Sequence, residues 1–216
     1  MSRRRLFITT LIALSAAPLA AQGRDAGAAA RVRALADRGQ YAEAVAAARQ
    51  ADLAPALAAL LRDTGRRDDA DSVLRRALAQ RRPDSLLVRL EYALLRQVRG
   101  EHDEARRLFD RFIGVYNAGG RLSADELAAV GLAVQHLSVT DPRLARDALK
   151  AYDEAVAADP AHRDARLRVG WLFLERYNGT EARASFEAIL ERDSTEPHAL
   201  LGLARTAQFE GSRAAL

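Results

Sequence analysis

The chain has 216 residues, of which 49% are hydrophobic, but 47 residues are alanine and only 6% are aromatic. Because alanine is the best helix former and strand-favouring residues are scarce, this composition excludes an all-β fold and predicts closely packed helices. A charged fraction of 29% excludes a polytopic membrane protein, and the absence of cysteine excludes a disulfide scaffold and thiolate metal sites.

The first 21 residues have the pattern of an export signal. The arginines from Arg3 to Arg5 precede an uncharged stretch over residues 6–17 and a small-residue zone that ends at Ala21. A run this short does not reach the ~20 apolar residues of a membrane span, although an uncleaved anchor is the alternative. We predict a signal peptide over residues 1–21, with both the Sec and the twin-arginine route open, and a periplasmic location. Without this segment the formal charge falls from +4 to 4 − 3 = +1.

One segment recurs along the rest of the chain, and it begins with a turn residue that is often Gly. Alanine follows five residues later, and apolar residues continue at helical spacing. The turn residues stand at positions 39, 65, 100, 143, 177 and 211, so the intervals are 26, 35, 43, 34 and 34 residues. Each turn is preceded by an apolar-periodic stretch, so each repeat predicts two helices. The last turn is predicted at Gly211, in an incomplete sixth unit.

Boundary signals agree with this division into helices. Ser123 and Glu126 form a capping box, and Asp141-Pro142 is an N-cap followed by Pro in the first helical turn. The long interval is attributed to a flexible loop over residues 117–120. The short interval is attributed to Pro55, which predicts a shortened first helix in the second unit.

The segment over residues 163–207 resembles a tetratricopeptide repeat (TPR). Val169-Gly170 is similar to the Leu-Gly pair of the family's first helix, while Ala182 and Phe186 are similar to the Ala and the aromatic residue of its second helix. The resemblance covers residues 25–216 and implies an all-α fold, a right-handed α-solenoid of about five and a half helix-turn-helix units. The predicted repeat domain is 22–216, with units at 25–50, 51–84, 86–118, 123–160, 163–194 and, incomplete, 197–216.

The sequence contains no pattern typical of catalysis. Its four histidines are scattered, with no pair four residues apart to hold a metal ion, and no phosphate loop, nucleophile elbow or dinucleotide fingerprint is present. We therefore expect no catalytic residues, no metal and no cofactor. Opposite charges alternate, as where Arg66-Arg67 precedes Asp68-Asp69, which indicates a solvated surface and argues against nucleic acid as a partner.

The resemblance implies that partners bind on the concave face, which the first helix of each unit lines. In this sequence that face is predicted to be a mostly apolar groove, suited to an amphipathic helix, an extended apolar peptide or another domain. The Lys, Asn and Arg set with which some family members clamp a C-terminal carboxylate does not appear. The candidate partner-binding residues are Leu90, Leu94, Leu137, Leu167, Trp171, Leu201 and Arg205.

These observations predict a non-enzymatic protein interaction scaffold of the bacterial cell envelope, with a protein or peptide as its partner. Two alternatives stay open. The chain could be the substrate-recruiting part of a larger exported hydrolase, such as a zinc peptidase, with its catalytic domain beyond residue 216. Alternatively, it could self-associate through residues 197–216.

Overall fold

The computed structural model describes residues 17–80 and 85–214. These residues form α-helices, one short 3₁₀ turn and no strand. Most of the predicted signal peptide, residues 1–16, lies outside the described residues. Within the described part of the chain, no helix has the length and apolar character that crossing a membrane requires.

The helices are α1 Ala17–Asp37, α2 Tyr41–Gln50, α3 Ala54–Asp63, α4 Arg67–Ala79, α5 Ser85–Val98, α6 His102–Asn117, α7 Ala124–Leu137, α8 Ala145–Ala158, α9 Arg163–Glu175, α10 Gly179–Leu190 and α11 Pro197–Ala214.

The chain divides into two compact units, and the first, Met1–Leu53, contains the helical hairpin of α1 and α2. The hairpin turns at Gly39, whose φ of +75° is the left-handed conformation that glycine adopts without steric cost. Val32, Ala44 and Ala48 are buried in this unit. These small side chains allow the two helices to approach closely.

The second unit, Ala54–Leu216, is a stack of helix pairs. Each of its helices packs against its neighbour in the chain, and the first helices α3, α5, α7, α9 and α11 also pack successively against one another. Contact between successive elements is the defining arrangement of an α-solenoid. The predicted all-α solenoid fold is therefore confirmed.

The turns inside the helix pairs share one backbone conformation. Gly65 and Gly100 have φ of +81° and +82°, as the recurring turn glycines predict. The corresponding residue of the α9–α10 turn is Tyr177, with a φ of +61°. This tyrosine adopts the left-handed conformation although it carries a Cβ, so the turn geometry is kept where the glycine is not.

Glycines and aromatic rings form the closest helix contacts of the stack. A Cβ on Gly131 of α7 would lie 2.6 Å from ring carbons of Tyr152. Phe186 of α10 lies between two such positions, because a Cβ on Gly170 would be 2.6 Å from its ring and one on Gly202 would be 2.5 Å from it. Both rings are fully buried. Gly170 therefore allows the helices of its unit to approach closely.

Two boundary predictions are also confirmed. Ser123 Oγ accepts a hydrogen bond from the Glu126 backbone N–H at 3.3 Å, and Glu126 Oε2 accepts one from the Ser123 N–H at 2.9 Å, which completes the capping box. In addition, α3 has only 10 residues and contains Pro55 in its first turn, whereas α5 has 14. Proline is tolerated there because the first backbone N–H groups of a helix have no acceptor within it.

The predicted turn at Gly211 is wrong, because α11 continues through it to Ala214. Just before it, Phe209 packs against Tyr177 with ring centres 5.8 Å apart, and Glu210 forms a salt bridge with Arg183 of α10. These contacts hold α11 in helical conformation. A glycine inside a helix costs only about 1 kcal/mol relative to alanine, which such contacts offset.

The long repeat interval also has a different origin from the one predicted. The loop over residues 117–120 accounts for part of it, together with α6, which at 16 residues is longer than the 13-residue α4. The remainder is the 3₁₀ turn Pro142–Leu144, which is inserted between α7 and α8. Asp141 caps this turn, because its side chain accepts a hydrogen bond from the Arg143 N–H. The extra residues therefore lie at both ends of α7.

Candidate functional site

Charged side chains of the first helices interact across the stack. Arg62 of α3 forms a salt bridge with Glu91 of α5. Arg168 of α9 acts electrostatically on Glu91 and on His136 of α7. We call these four residues the charged group. They show that successive first helices present side chains to a shared surface.

Burial changes the protonation of two members of the charged group. It raises the pKa of Glu91 to about 7, although the positive charge of Arg62 opposes this shift. Burial, together with the positive charges of Arg168 and Arg62, lowers the pKa of His136 to about 4. At neutral pH His136 is therefore uncharged, and Glu91 is close to its midpoint.

A cleft of about 320 Å³ lies beside Trp171, between α9 and α11. The Trp171 ring meets Phe186 nearly edge-on, with centres 5.2 Å apart and an interplanar angle of 68°. The guanidinium carbon of Arg205 lies 5.9 Å from the centre of the Trp171 ring, within the range of a cation–π interaction. We call this site the Trp171 cleft. It is lined by Arg163, Asp164, Leu167, Arg168, Trp171 and His198.

Two exposed cations lie at this site: Arg168 is in the lining of the Trp171 cleft, and Arg205 lies beside the Trp171 ring. Arg163 forms a salt bridge with the buried carboxylate of Glu196. Arg168 and Arg205 are exposed, and neither forms a salt bridge within residues 17–80 and 85–214. An aromatic surface next to unpaired guanidinium groups is suited to a segment that carries both an apolar and an acidic side chain.

The structure brings together part of the predicted groove. Arg205 lies within cation–π range of Trp171, and Leu167 lines the cleft beside this ring. Leu201 is on α11 and is 49% exposed, while Leu94 of α5 is partly buried against the core. The partner-binding role of these residues stays a prediction.

The expectation of a mostly apolar groove is corrected by the burial of its leucines. Leu90, Leu137 and Leu167 are each only 7% exposed. Leu90 belongs to the same core as Leu86, four residues earlier, because this spacing places both on the packed side of α5. The accessible part of the face is consequently more polar than the sequence pattern indicated.

Sequence reasoning missed Arg168 and the charged group. Asp164, Arg168 and Trp171 follow one another at spacings of four and three residues, which places them on one face of α9. That spacing could have identified the charged side of the cleft. The burial of Glu91 and His136 had no comparable signal, because it depends on neighbouring helices.

A chain of two hydrogen bonds links three helices of the stack. The Tyr152 hydroxyl of α8 donates to Gln135 Oε1 of α7 at 2.7 Å. Gln135 Nε2 in turn donates to Glu175 Oε2 of α9 at 2.8 Å. Burial raises the pKa of Tyr152, so its hydroxyl stays protonated and remains a donor. Three successive helices are thereby linked.

Within the described residues, no group of three or more His, Asp or Glu side chains is placed to hold a metal ion.

Comparison with known proteins agrees with this architecture. The tetratricopeptide repeat family model matches residues 56–120 and 143–207, which is more than half of the chain. The fold defines the class of protein as a helix-pair solenoid. The match shows that the chain belongs to the tetratricopeptide repeat family. No curated protein sequence matches the chain significantly.

Two solved structures show the same fold. One is a tetratricopeptide repeat protein from Parabacteroides merdae ATCC 43184, with 18% identity and a TM-score of 0.51 over 88% of this chain and 75% of that one. The other is the APC/C hetero-tetramer Cut9-Hcn1, with 16% identity, a TM-score of 0.52 and coverage of 81% of this chain. The present chain spans only 34% of that second structure's chain, so the similarity concerns the repeat fold.

Proposed function

We propose that this chain is a protein interaction scaffold that binds a partner segment in the Trp171 cleft. The segment would place an apolar side chain against the ring of Trp171 and an acidic side chain between Arg168 and Arg205. The observation that carries the proposal is a half-buried aromatic ring near two exposed arginines that form no salt bridge with another described residue. Arginine and tryptophan are the residues most often enriched where binding energy is concentrated in interfaces.

Fluorescence tests this proposal directly, since Trp171 is the only tryptophan of the chain. We would titrate the protein with defined 12-residue peptides that combine leucine with glutamate, and with matched peptides that carry lysine instead of glutamate. Saturable changes in Trp171 emission are expected only with the acidic series. Binding should weaken roughly tenfold in Arg168→Gln, because one charge-assisted contact is lost.

The matched control is Arg146→Gln, which removes an exposed arginine of α8 outside the cleft. It is expected to bind like the wild type. Equal responses to the acidic and basic peptides, or equal binding by both arginine variants, would contradict the proposed cleft. Circular dichroism of each variant excludes unfolding as the cause of a lost response.

We further propose that the protein is exported and acts in the bacterial cell envelope. The support is the sequence of residues 1–21, with three arginines, a short apolar run and a small-residue zone. Fractionation of expressing cells, followed by mass measurement of the recovered chain, tests it. A chain that starts after Ala21 in the periplasmic fraction is expected, whereas a cytoplasmic chain with residues 1–21 intact would refute export.

Self-association is a second candidate function, favoured by two exposed leucines of α11. Leu200 and Leu201 are 48% and 49% exposed. Burial of both between two copies would remove apolar surface from water. Light scattering should show a dimer that dissociates in the double variant Leu200→Glu, Leu201→Glu. A monomeric mass for the wild type across the concentration range would exclude this function.

A further inference from the structure

A second cleft, distinct from the Trp171 cleft, lies between α4, α5 and α6. Its volume is about 380 Å³, within the usual range for small-molecule sites. Phe112 and Leu86 are buried in its wall. It shares no lining residue with the Trp171 cleft. It is lined by Leu78, Leu86, Arg89, Tyr92, Leu108, Arg111, Phe112 and Val115.

Both cations of this second cleft lack a carboxylate partner among the described residues. Arg89 of α5 and Arg111 of α6 are exposed, and neither forms a salt bridge in the described part of the chain. All the other lining side chains are aliphatic or aromatic. Its described lining therefore combines an apolar interior with two positive charges and no acidic side chain.

The equivalent cleft one repeat further along provides an internal comparison. It lies between α6, α7 and α8, and its lining contains one acid, Asp147, and one base, Lys150. Lys150 Nζ also lies 3.9 Å from Glu154 Oε1, and the Tyr116 hydroxyl donates to the same carboxylate at 2.8 Å. The positive charge of that cleft has carboxylate partners, whereas Arg89 and Arg111 have none among the residues that the structure describes.

The size of the second cleft decides which anionic molecule it suits. A volume of about 380 Å³ lies near the lower end of the range for small-molecule sites. A single alkyl chain with one acid group is narrow enough to lie in it. We propose that the cleft between α4, α5 and α6 binds an anionic amphiphile, with its acid group at Arg89 and Arg111 and its apolar chain against Leu108 and Phe112.

Two-dimensional NMR of the full chain with decanoate as the probe tests this site. Decanoate is expected to shift amide resonances of α5 and α6 in a saturable manner, whereas decanol, which has the same chain without the charge, should bind about tenfold more weakly. Decyltrimethylammonium should not bind there. Arg89→Gln and Arg111→Gln should each weaken decanoate binding roughly tenfold.

The matched control is Arg107→Gln, which removes an exposed arginine of α6 that does not line the cleft. It should bind decanoate like the wild type. Both cleft arginines are exposed, so their substitution should leave the circular dichroism spectrum unchanged. Equal affinities for decanoate and decanol, unaltered binding in both cleft variants, or shifts confined to the Trp171 cleft would each overturn the proposal.

Discussion

Single residues set the distance between helices in this stack. Phe186 fills the space between α9 and α11 because Gly170 and Gly202 leave room for its ring. Protein interiors are close-packed, so even one added methyl group at such a contact must displace its neighbours. Tyr152 makes the corresponding contact with Gly131 one unit earlier.

Gly170→Ala is expected to lower the free energy of unfolding by about 1–2 kcal/mol. The added Cβ would lie 2.6 Å from the Phe186 ring, and the cost of overpacking exceeds the helix propensity gained from alanine. Urea unfolding measures the change. The control is Gly114→Ala at an exposed position of α6, where a Cβ has no neighbour within 4 Å. That variant should gain up to about 1 kcal/mol, and an equal gain at Gly170 would contradict the packing argument.

Glu91 should make the free energy of unfolding depend on pH. The folded protein keeps the Glu91 proton up to a pKa of about 7, whereas the unfolded chain releases it near 4.5. Stability due to this group therefore falls as pH rises from about 4.5 through about 7. Glu91→Gln should remove this decrease, as chemical unfolding at several pH values would show. Parallel curves for the two proteins would contradict the shift.

His136 should make the free energy of unfolding depend on pH with the opposite sign to Glu91. It therefore provides a control. Its folded pKa of about 4 lies below the ordinary 6.5, so the unfolded state binds more protons between these values. Stability due to His136 therefore rises with pH over this window and is lost as pH falls. His136→Gln should abolish that rise. The two substitutions must consequently change the pH profile with opposite signs.

At the scale of helices, the sequence predicted the features that depend on interactions between residues close together in the chain. The helix pairs follow from apolar periodicity, and the capping box at Ser123 follows from its spacing to Glu126. The course of α11 through Gly211 could not be predicted in this way. It depends on contacts of Phe209 and Glu210 with residues of the preceding unit, and these are distant in sequence.

Gly211→Ala distinguishes a helical residue from a turn residue. Because α11 continues through this position and a Cβ there meets no atom within 4 Å, alanine should raise the free energy of unfolding by up to about 1 kcal/mol. Thermal unfolding measures the gain. At Gly65, with a φ of +81°, the same substitution should destabilise the protein. A loss of stability at both positions would restore the turn interpretation.

At the scale of the molecule, the buried hydrogen bonds between α7, α8 and α9 should concentrate stability locally. Tyr152→Phe leaves Gln135 Oε1 without its donor, at a cost of about 1–3 kcal/mol. Hydrogen exchange should show faster exchange in α7, α8 and α9, with little change in α1 and α2. Faster exchange of the whole chain to the same extent would instead indicate a single cooperative unit.

The candidate site could be predicted only in part, because it depends on contacts between helices that are distant in sequence. The sequence indicated Trp171 and Arg205, which the structure brings together. It could not indicate that Leu90 and Leu137 are buried, because the packed side of a first helix depends on the helices above and below it. The charges of the Trp171 cleft come from two helices whose relative rotation is set by packing.

The successive contacts of the first helices also imply how the second unit should respond to mechanical force. Since helices pack mainly against their immediate neighbours, pulling on the ends should detach units one after another rather than together. A released unit of about 34 residues lengthens the chain by roughly 110–120 Å. The second unit would therefore unfold in steps, and the repeat length would set the extension gained in each step.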